Sequence, residues 1–186
     1  MIGDIIGAIT SILVLAIPFV MKIIITKQEC KLTSKIEALE DKIDKINKQN
    51  LESQINLDFT VQLLNIKNYY LKSIEDEKLH VAAAEKASKF VDTVSGIINR
   101  YKIDINNLSH IKQELCVAFG YGRNRMIEYI GSEKANHIFK MMYSKRKAFF
   151  NNIEDILTES PNHYKERFVT LCICYLKSFL KDIKSM

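Results

Sequence analysis

The chain has 186 residues, of which 47% are hydrophobic, and its 27 basic and 22 acidic side chains leave a net charge of +5. Its four cysteines are few and unevenly spaced, which excludes the disulfide framework of a small secreted protein. With only two prolines and no repeat or low-complexity tract, the sequence contains no segment typical of a flexible linker.

The first segment in chain order, residues 2–26, is mostly apolar and contains only two charged residues, Asp4 and Lys22. A helix needs about 20 apolar residues to cross a hydrocarbon core of about 30 Å. No basic side chain precedes the segment, which disfavours a cleaved signal peptide, and the segment lacks the polar face of most buried helices. We therefore expect residues 1–26 to form a single-pass transmembrane anchor in a lipid bilayer. An uncleaved or re-entrant segment is the alternative.

Lysines on one flank of this segment predict its orientation. Lys22, Lys27, Lys31 and Lys35 lie in or just after the apolar stretch, and positively charged flanks tend to stay in the cytoplasm. The N-terminus is then expected outside and the rest of the chain in the cytoplasm. Free thiols at the four cysteines would agree with such a reducing compartment.

Residues 27–79 have the pattern of a helical rod. Five apolar residues follow one another at spacings of 4, 3, 4 and 3, and the positions between them are mostly charged or polar. This is the heptad pattern of a short parallel coiled coil, so we expect a homo-oligomer, either dimer or trimer. An amphipathic helix lying on the rest of the chain is the alternative. The predicted contact residues, called the seam below, are Leu32, Ile36, Leu39, Ile43 and Ile46, with Asn50 at the next core position.

Residues 80–186 show wider apolar stripes at helical spacing and almost no strand signal. We expect the rod's stripe, Ile55 to Tyr70, to stop at the polar cluster 75–78. Further helices are predicted over about 81–101, 109–119, 126–130 and 133–157, with a last one opened by Pro161. The predicted fold class is all-α: a single N-terminal transmembrane helix, a short parallel coiled coil and a compact multi-helix domain at 80–186.

Chemical motifs are sparse. The four histidines are far apart, and none has a second ligand at helical spacing, so no metal site is expected. Cys172 and Cys174 are two residues apart and point to different sides of a helix, which disfavours a redox pair. No nucleophile lies next to a plausible base. The sequence therefore predicts a protein that is not an enzyme and that uses no cofactor.

Basic residues are concentrated in the distal part of the chain. Residues 31–79 carry a net charge of −1, whereas residues 80–186 carry +6. Two arginines follow the glycine turn Gly120-Tyr121-Gly122, and a basic stretch with aromatic neighbours follows at 140–150. Both features suit phosphate or carboxylate groups, although solvated surface charges are the simpler interpretation. The candidate anion-binding residues are Arg123, Arg125, Lys140, Lys145, Arg146 and Lys147.

Three functions fit this organisation. The first is a membrane-anchored, self-associating scaffold or adaptor that presents the helical domain to a protein partner. The second is a membrane-tethered nucleic-acid-binding protein that uses the basic distal domain. The third is an oligomeric pore, in which Gly3 and Gly7 let neighbouring anchors approach closely.

Overall fold

The computed structural model describes residues 2–159 and 164–185, with side chains at 17–158 and 164–185. Within these ranges the chain is all-helical and has no strand, which confirms the predicted fold class at this level. One turn of 3₁₀ helix, Ile105–Asn107, precedes the third helix. The α-helices are α1 (Ile2–Leu71), α2 (Glu77–Arg100), α3 (Leu108–Gly120), α4 (Arg123–Ile130), α5 (Ser132–Glu159) and α6 (Tyr164–Lys184).

Residue contacts divide the chain into two compact units, Met1–Glu52 and Ser53–Met186. The described part of the first unit is the beginning of α1, and every described side chain there, from residue 17 to residue 52, is exposed. The second unit contains the end of α1 together with α2 to α6. It therefore begins at Ser53, earlier in the sequence than the predicted helical domain at 80–186.

The predicted anchor belongs to the first unit. The backbone of residues 2–26 is helical, but the side chains of residues 1–16, including the Gly3 and Gly7 pair, lie outside the described part of the chain. Among the residues that are described, no helix combines the length and the apolar character needed to cross a bilayer. The membrane anchor stays a prediction.

The helix boundaries follow the sequence signals closely at α2. Asp76 is its N-cap, and its carboxylate accepts a hydrogen bond from the backbone N–H of Leu79 at 3.0 Å. This bond lowers the pKa of Asp76, because it favours the ionised carboxylate. The apolar stripe of α1 thus stops before the polar cluster at 75–78, as predicted, and α2 begins within that cluster, four residues before the predicted start at about 81.

The starts of α3 and α6 differ from that of α2. Asn107 occupies the N-cap position of α3, but its side chain makes no capping bond. Asp104 instead accepts from the backbone N–H of Asn107 at 3.2 Å, because the 3₁₀ turn comes first. The predicted role of Pro161 lies outside the described residues, which resume at Tyr164 in α6.

The end of α1 meets the core through most of the predicted stripe, since Leu63 is buried and Phe59, Ile66 and Tyr70 pack against the core, but Ile55 does not. Ile55 is exposed, whereas the neighbouring Asn56 is buried. The Asn56 amide nitrogen donates to the Ile98 carbonyl at 3.2 Å and to the Asn99 side-chain oxygen at 3.0 Å. Its oxygen accepts from Lys165 at 2.9 Å. These bonds offset the cost of burying an amide, which hydrophobic periodicity alone does not anticipate.

The second unit has a continuous apolar core with an aromatic centre. The Phe119 ring centroid lies 5.1 Å from that of Tyr175 and 5.6 Å from those of Phe149 and Phe150. Edge-to-face and offset pairs at these distances add to the stabilisation from burial alone. The largest fully buried side chains include Leu63, Ile97, Ile111, Leu115, Ile138, Ile153, Phe168, Leu176, Leu180 and Ile183.

Candidate anion-binding groove

A tight corner joins α3 to α4 and sets the direction of the first arginine. Gly122 has φ +77°, in the left-handed region that favours glycine. The Tyr121 N–H donates to the Ala118 carbonyl at 3.3 Å, and the Met126 N–H donates to the Gly122 carbonyl at 2.9 Å. The second bond forms the first turn of α4, which begins at Arg123.

A buried lysine holds this corner in place. Lys86 of α2 is only 2% exposed, and its Nζ donates to the backbone carbonyls of Ala118 at 2.9 Å, Phe119 at 2.7 Å and Tyr121 at 2.7 Å. Carbonyl groups at a helix C-terminus have no partner within the helix and carry partial negative charge. The same Nζ lies 4.8 Å from the centre of the Phe139 ring. Lys86 therefore connects α2, the α3–α4 corner and α5.

Lys86 was not among the residues predicted to form the site. Lysines are rarely buried, so the residue was counted with the surface charges. Its position nevertheless contained a signal: it lies four residues after Ala82 and four before Phe90, both of which are buried on the core face of α2. A lysine at core spacing in a helix indicates a buried ammonium group with carbonyl partners.

Stability should depend on pH through Lys86. Burial lowers the pKa of Lys86 from 10.5 to about 7, because desolvation disfavours the charged form. Between these values the unfolded chain keeps the proton and the folded chain releases it, which leaves two N–H donors for the three carbonyls. The free energy of unfolding should therefore rise as pH increases from 7 towards 10.5. Urea unfolding of the wild-type protein and of Lys86→Met at several pH values measures the effect. The difference between their free energies of unfolding should grow as the pH rises. Parallel pH profiles would show that folded Lys86 keeps its proton.

Two of the predicted basic residues are held by carboxylates. The Arg125 guanidinium donates to Glu85 at 2.9 Å, and this pairing raises the pKa of Arg125. Lys145 forms an ion pair with Asp182 and donates to the Ser178 hydroxyl at 2.7 Å. These contacts connect α4 to α2 and α5 to α6. Arg123 and Arg125 both line an open pocket of about 430 Å³ at the α3–α4 corner, whereas Lys145 does not.

Three of the other predicted anion-binding residues lie around one groove. Arg123 from α4, together with Lys140 and Arg146 from α5, lines one open groove of about 820 Å³. Exposed Lys147, although it neighbours Arg146 in sequence, is not among the residues that line it. We call this site the basic groove and define it by Arg123, Lys140, Arg146, Phe119, Phe139 and Tyr143.

The charges of the basic groove lie beside flat aromatic surfaces. The Arg123 guanidinium donates to the Asn136 side-chain oxygen at 3.0 Å and lies 5.9 Å from the centre of the Phe139 ring. The Arg146 guanidinium lies 4.1 Å from the centre of the Tyr143 ring. Among the described residues that line the groove there is no carboxylate. The site is therefore suited to an anion that also has a flat or apolar portion.

The described ranges contain little evidence for a metal site or a redox pair of cysteines. No three histidine, cysteine or carboxylate side chains converge there as metal ligands. Cys172 is buried, which raises the pKa of its thiol, whereas Cys174 is exposed. Their side chains thus lie in different environments, as the helical spacing predicted.

Comparison with known proteins identifies no family for this chain. Neither the models of protein families, nor the curated proteins, nor the solved structures include a significant match to it. The seam and the basic groove are accordingly interpreted from their own side chains.

Proposed function

We propose that this chain is a membrane-anchored, self-associating helical scaffold that presents its distal helical domain to a protein partner. The apolar segment 1–26 would locate the chain in a bilayer, with the N-terminus outside and the distal domain in the cytoplasm. The coiled coil would set the number of copies, and the distal domain would recruit the partner.

The exposed seam is the observation that carries this proposal. Leu32, Ile36, Leu39, Ile43 and Ile46 are each 47–61% exposed in the single chain. They recur at heptad spacing in a helix whose other positions are mostly charged or polar, so pairing between copies would remove a narrow apolar stripe from water. Anchoring would favour this pairing, because it raises the effective concentration of the chains.

Breaking the seam should convert the oligomer into monomers. Ile36→Asp combined with Ile43→Asp introduces two carboxylates at core positions, where burial of an unpaired charge is unfavourable. We expect the full chain in detergent to change from an oligomeric to a monomeric mass by light scattering. Before extraction, the chain should stay with the membrane fraction after a high-salt wash.

The matched control is Ser34→Asp combined with Ala38→Asp. It makes the same change in charge on the same helix at positions outside the heptad core, so the oligomer should persist. An oligomer that survives the Ile36 and Ile43 substitutions would move assembly to another part of the chain. A wild-type chain that is monomeric would refute self-association, and release by salt would refute the anchor.

A further inference from the structure

We propose that the basic groove binds an unpaired segment of nucleic acid. This activity goes beyond scaffolding and does not depend on self-association. Its binding site is defined by Arg123, Lys140 and Arg146, which line the groove with the rings of Phe119, Phe139 and Tyr143.

The charges of the groove require an anionic ligand. Arg125 and Lys145 each have a carboxylate partner in the folded chain. Arg123 instead donates to the neutral amide of Asn136, so this contact leaves its positive charge uncompensated. With no carboxylate among the described lining residues, the three cations share one electropositive surface. Guanidinium groups match phosphate geometry with two parallel donors, so a phosphate backbone is a suitable counter-charge.

The flat groups of the site favour nucleic acid over an acidic peptide. Tyr143 is 66% exposed, and the Arg146 guanidinium stacks on it with 4.1 Å between the guanidinium carbon and the ring centre. Unpaired bases stack on aromatic rings and on arginine planes, and this stacking tolerates any base. An acidic peptide would satisfy the charges but would leave these surfaces without a stacking partner.

The shape of the groove favours an unpaired strand over a duplex or a bilayer surface. Pockets that enclose a small ligand measure about 300–1,000 Å³, and the groove, at about 820 Å³, falls within that range. A short segment of single strand can enter it and reach the half-buried Phe139 ring. A duplex or a lipid surface would lie across the opening and contact only the outermost charges.

Fluorescence anisotropy of the full chain with a labelled oligothymidine tests the proposal. We expect binding at about 0.15 M salt by a strand of about 12 nucleotides. Arg123→Ala combined with Arg146→Ala should weaken it about 10–100-fold and flatten its salt dependence, since two phosphate contacts are lost. Tyr143→Leu should weaken binding about tenfold with the salt dependence unchanged, because it removes stacking and keeps the charges.

Lys147→Ala is the matched control. It removes one positive charge from the same helix outside the groove, so the affinity should change by less than about twofold. Near-UV circular dichroism checks that every variant is folded. If the double arginine variant does not fold, Lys140→Gln and Tyr143→Leu make the same test at exposed positions.

Four results would overturn the proposal. The first is no binding of the oligonucleotide, and the second is an equal loss of affinity in the groove variants and in Lys147→Ala. The third is equally effective competition by unlabelled duplex DNA, since the groove is inferred to select unpaired strands. The fourth is stronger competition by phosphatidylserine vesicles or by polyglutamate, which would assign the groove to a membrane surface or to an acidic protein segment. Because linked grooves would bind one strand more tightly, every comparison is made between variants in the same assembly state.

Discussion

Replacing Lys86 by methionine is expected to lower the free energy of unfolding of the second unit by about 2–4 kcal/mol. The substitution keeps most of the side-chain volume but removes the donor to the carbonyls of Ala118, Phe119 and Tyr121. A buried carbonyl without a donor costs about 1–3 kcal/mol, which applies most directly to Phe119. The partly buried Tyr121 carbonyl also loses its lysine donor, and the Ala118 carbonyl keeps only the 3.3 Å bond from the Tyr121 N–H. Urea unfolding followed by near-UV circular dichroism of the tyrosines measures the loss.

Lys89→Met is the control for this substitution. Lys89 lies on the same helix and is half-buried, and its Nζ lies 5.3 Å from the centre of the Tyr121 ring. Losing such a contact should cost less than about 1 kcal/mol. Equal effects at the two positions would show that the carbonyl contacts of Lys86 contribute nothing specific. Amide hydrogen exchange should also become faster at the end of α3 in Lys86→Met, because the corner before Arg123 loses its hydrogen bonds to Lys86.

Phe119→Ala is expected to destabilise the second unit by about 3–5 kcal/mol, the usual cost of deleting a buried aromatic ring. The Phe119 ring packs against four others, those of Phe90, Phe149, Phe150 and Tyr175, at centroid distances of 5.1–5.9 Å. Its loss would leave a cavity beneath the basic groove, whose lining includes this residue. The same urea titration measures the change.

Val117→Ala tests whether the effect arises from the aromatic cluster. Val117 lies on α3 two residues before Phe119 but is 61% exposed, so its truncation should change stability by less than about 0.5 kcal/mol. A similar small change for Phe119→Ala would mean that the surrounding rings close the cavity. In that case the aromatic centre would not be the main support of the fold.

Self-association through the seam would strengthen the binding of nucleic acid by the basic groove. An oligomer held by the seam would carry several basic grooves, and one unpaired strand could occupy more than one of them. Linked sites bind more tightly than isolated ones, because the second contact forms at a high effective concentration. Weak affinity at a single groove is therefore compatible with firm retention of a strand at a membrane.

Much of the fold could be predicted from local patterns. Apolar residues at spacings of three and four place the helices, and the polar cluster at 75–78 and the glycines Gly120 and Gly122 mark breaks that the structure reproduces within a few residues. These signals are local, since they depend on the hydrogen bonds and backbone angles of neighbouring residues. Ile55, alone in the predicted stripe of α1, is exposed, because the neighbouring Asn56 is buried by partners in α2 and α6.

The candidate site could be predicted only as a set of basic residues. The sequence supplied Arg123, Arg125, Lys140, Lys145, Arg146 and Lys147, but their proximity in sequence did not indicate which share a surface. Ion pairs with Glu85 and Asp182, residues distant in the chain, remove Arg125 and Lys145 from the group. Lys86, which shapes the corner behind the groove, was not predicted at all.

The sequence by itself determined the helical class, the positions of most helices, the heptad spacing of the seam and the basic character of the distal domain. Each of these properties depends on residues close together in the chain, through helix periodicity, capping and net charge. Only the tertiary structure decided which charges converge on the basic groove and why a lysine can be buried beneath it. Those outcomes depend on how α2, α3, α4, α5 and α6 pack, and packing brings together partners that no local pattern connects.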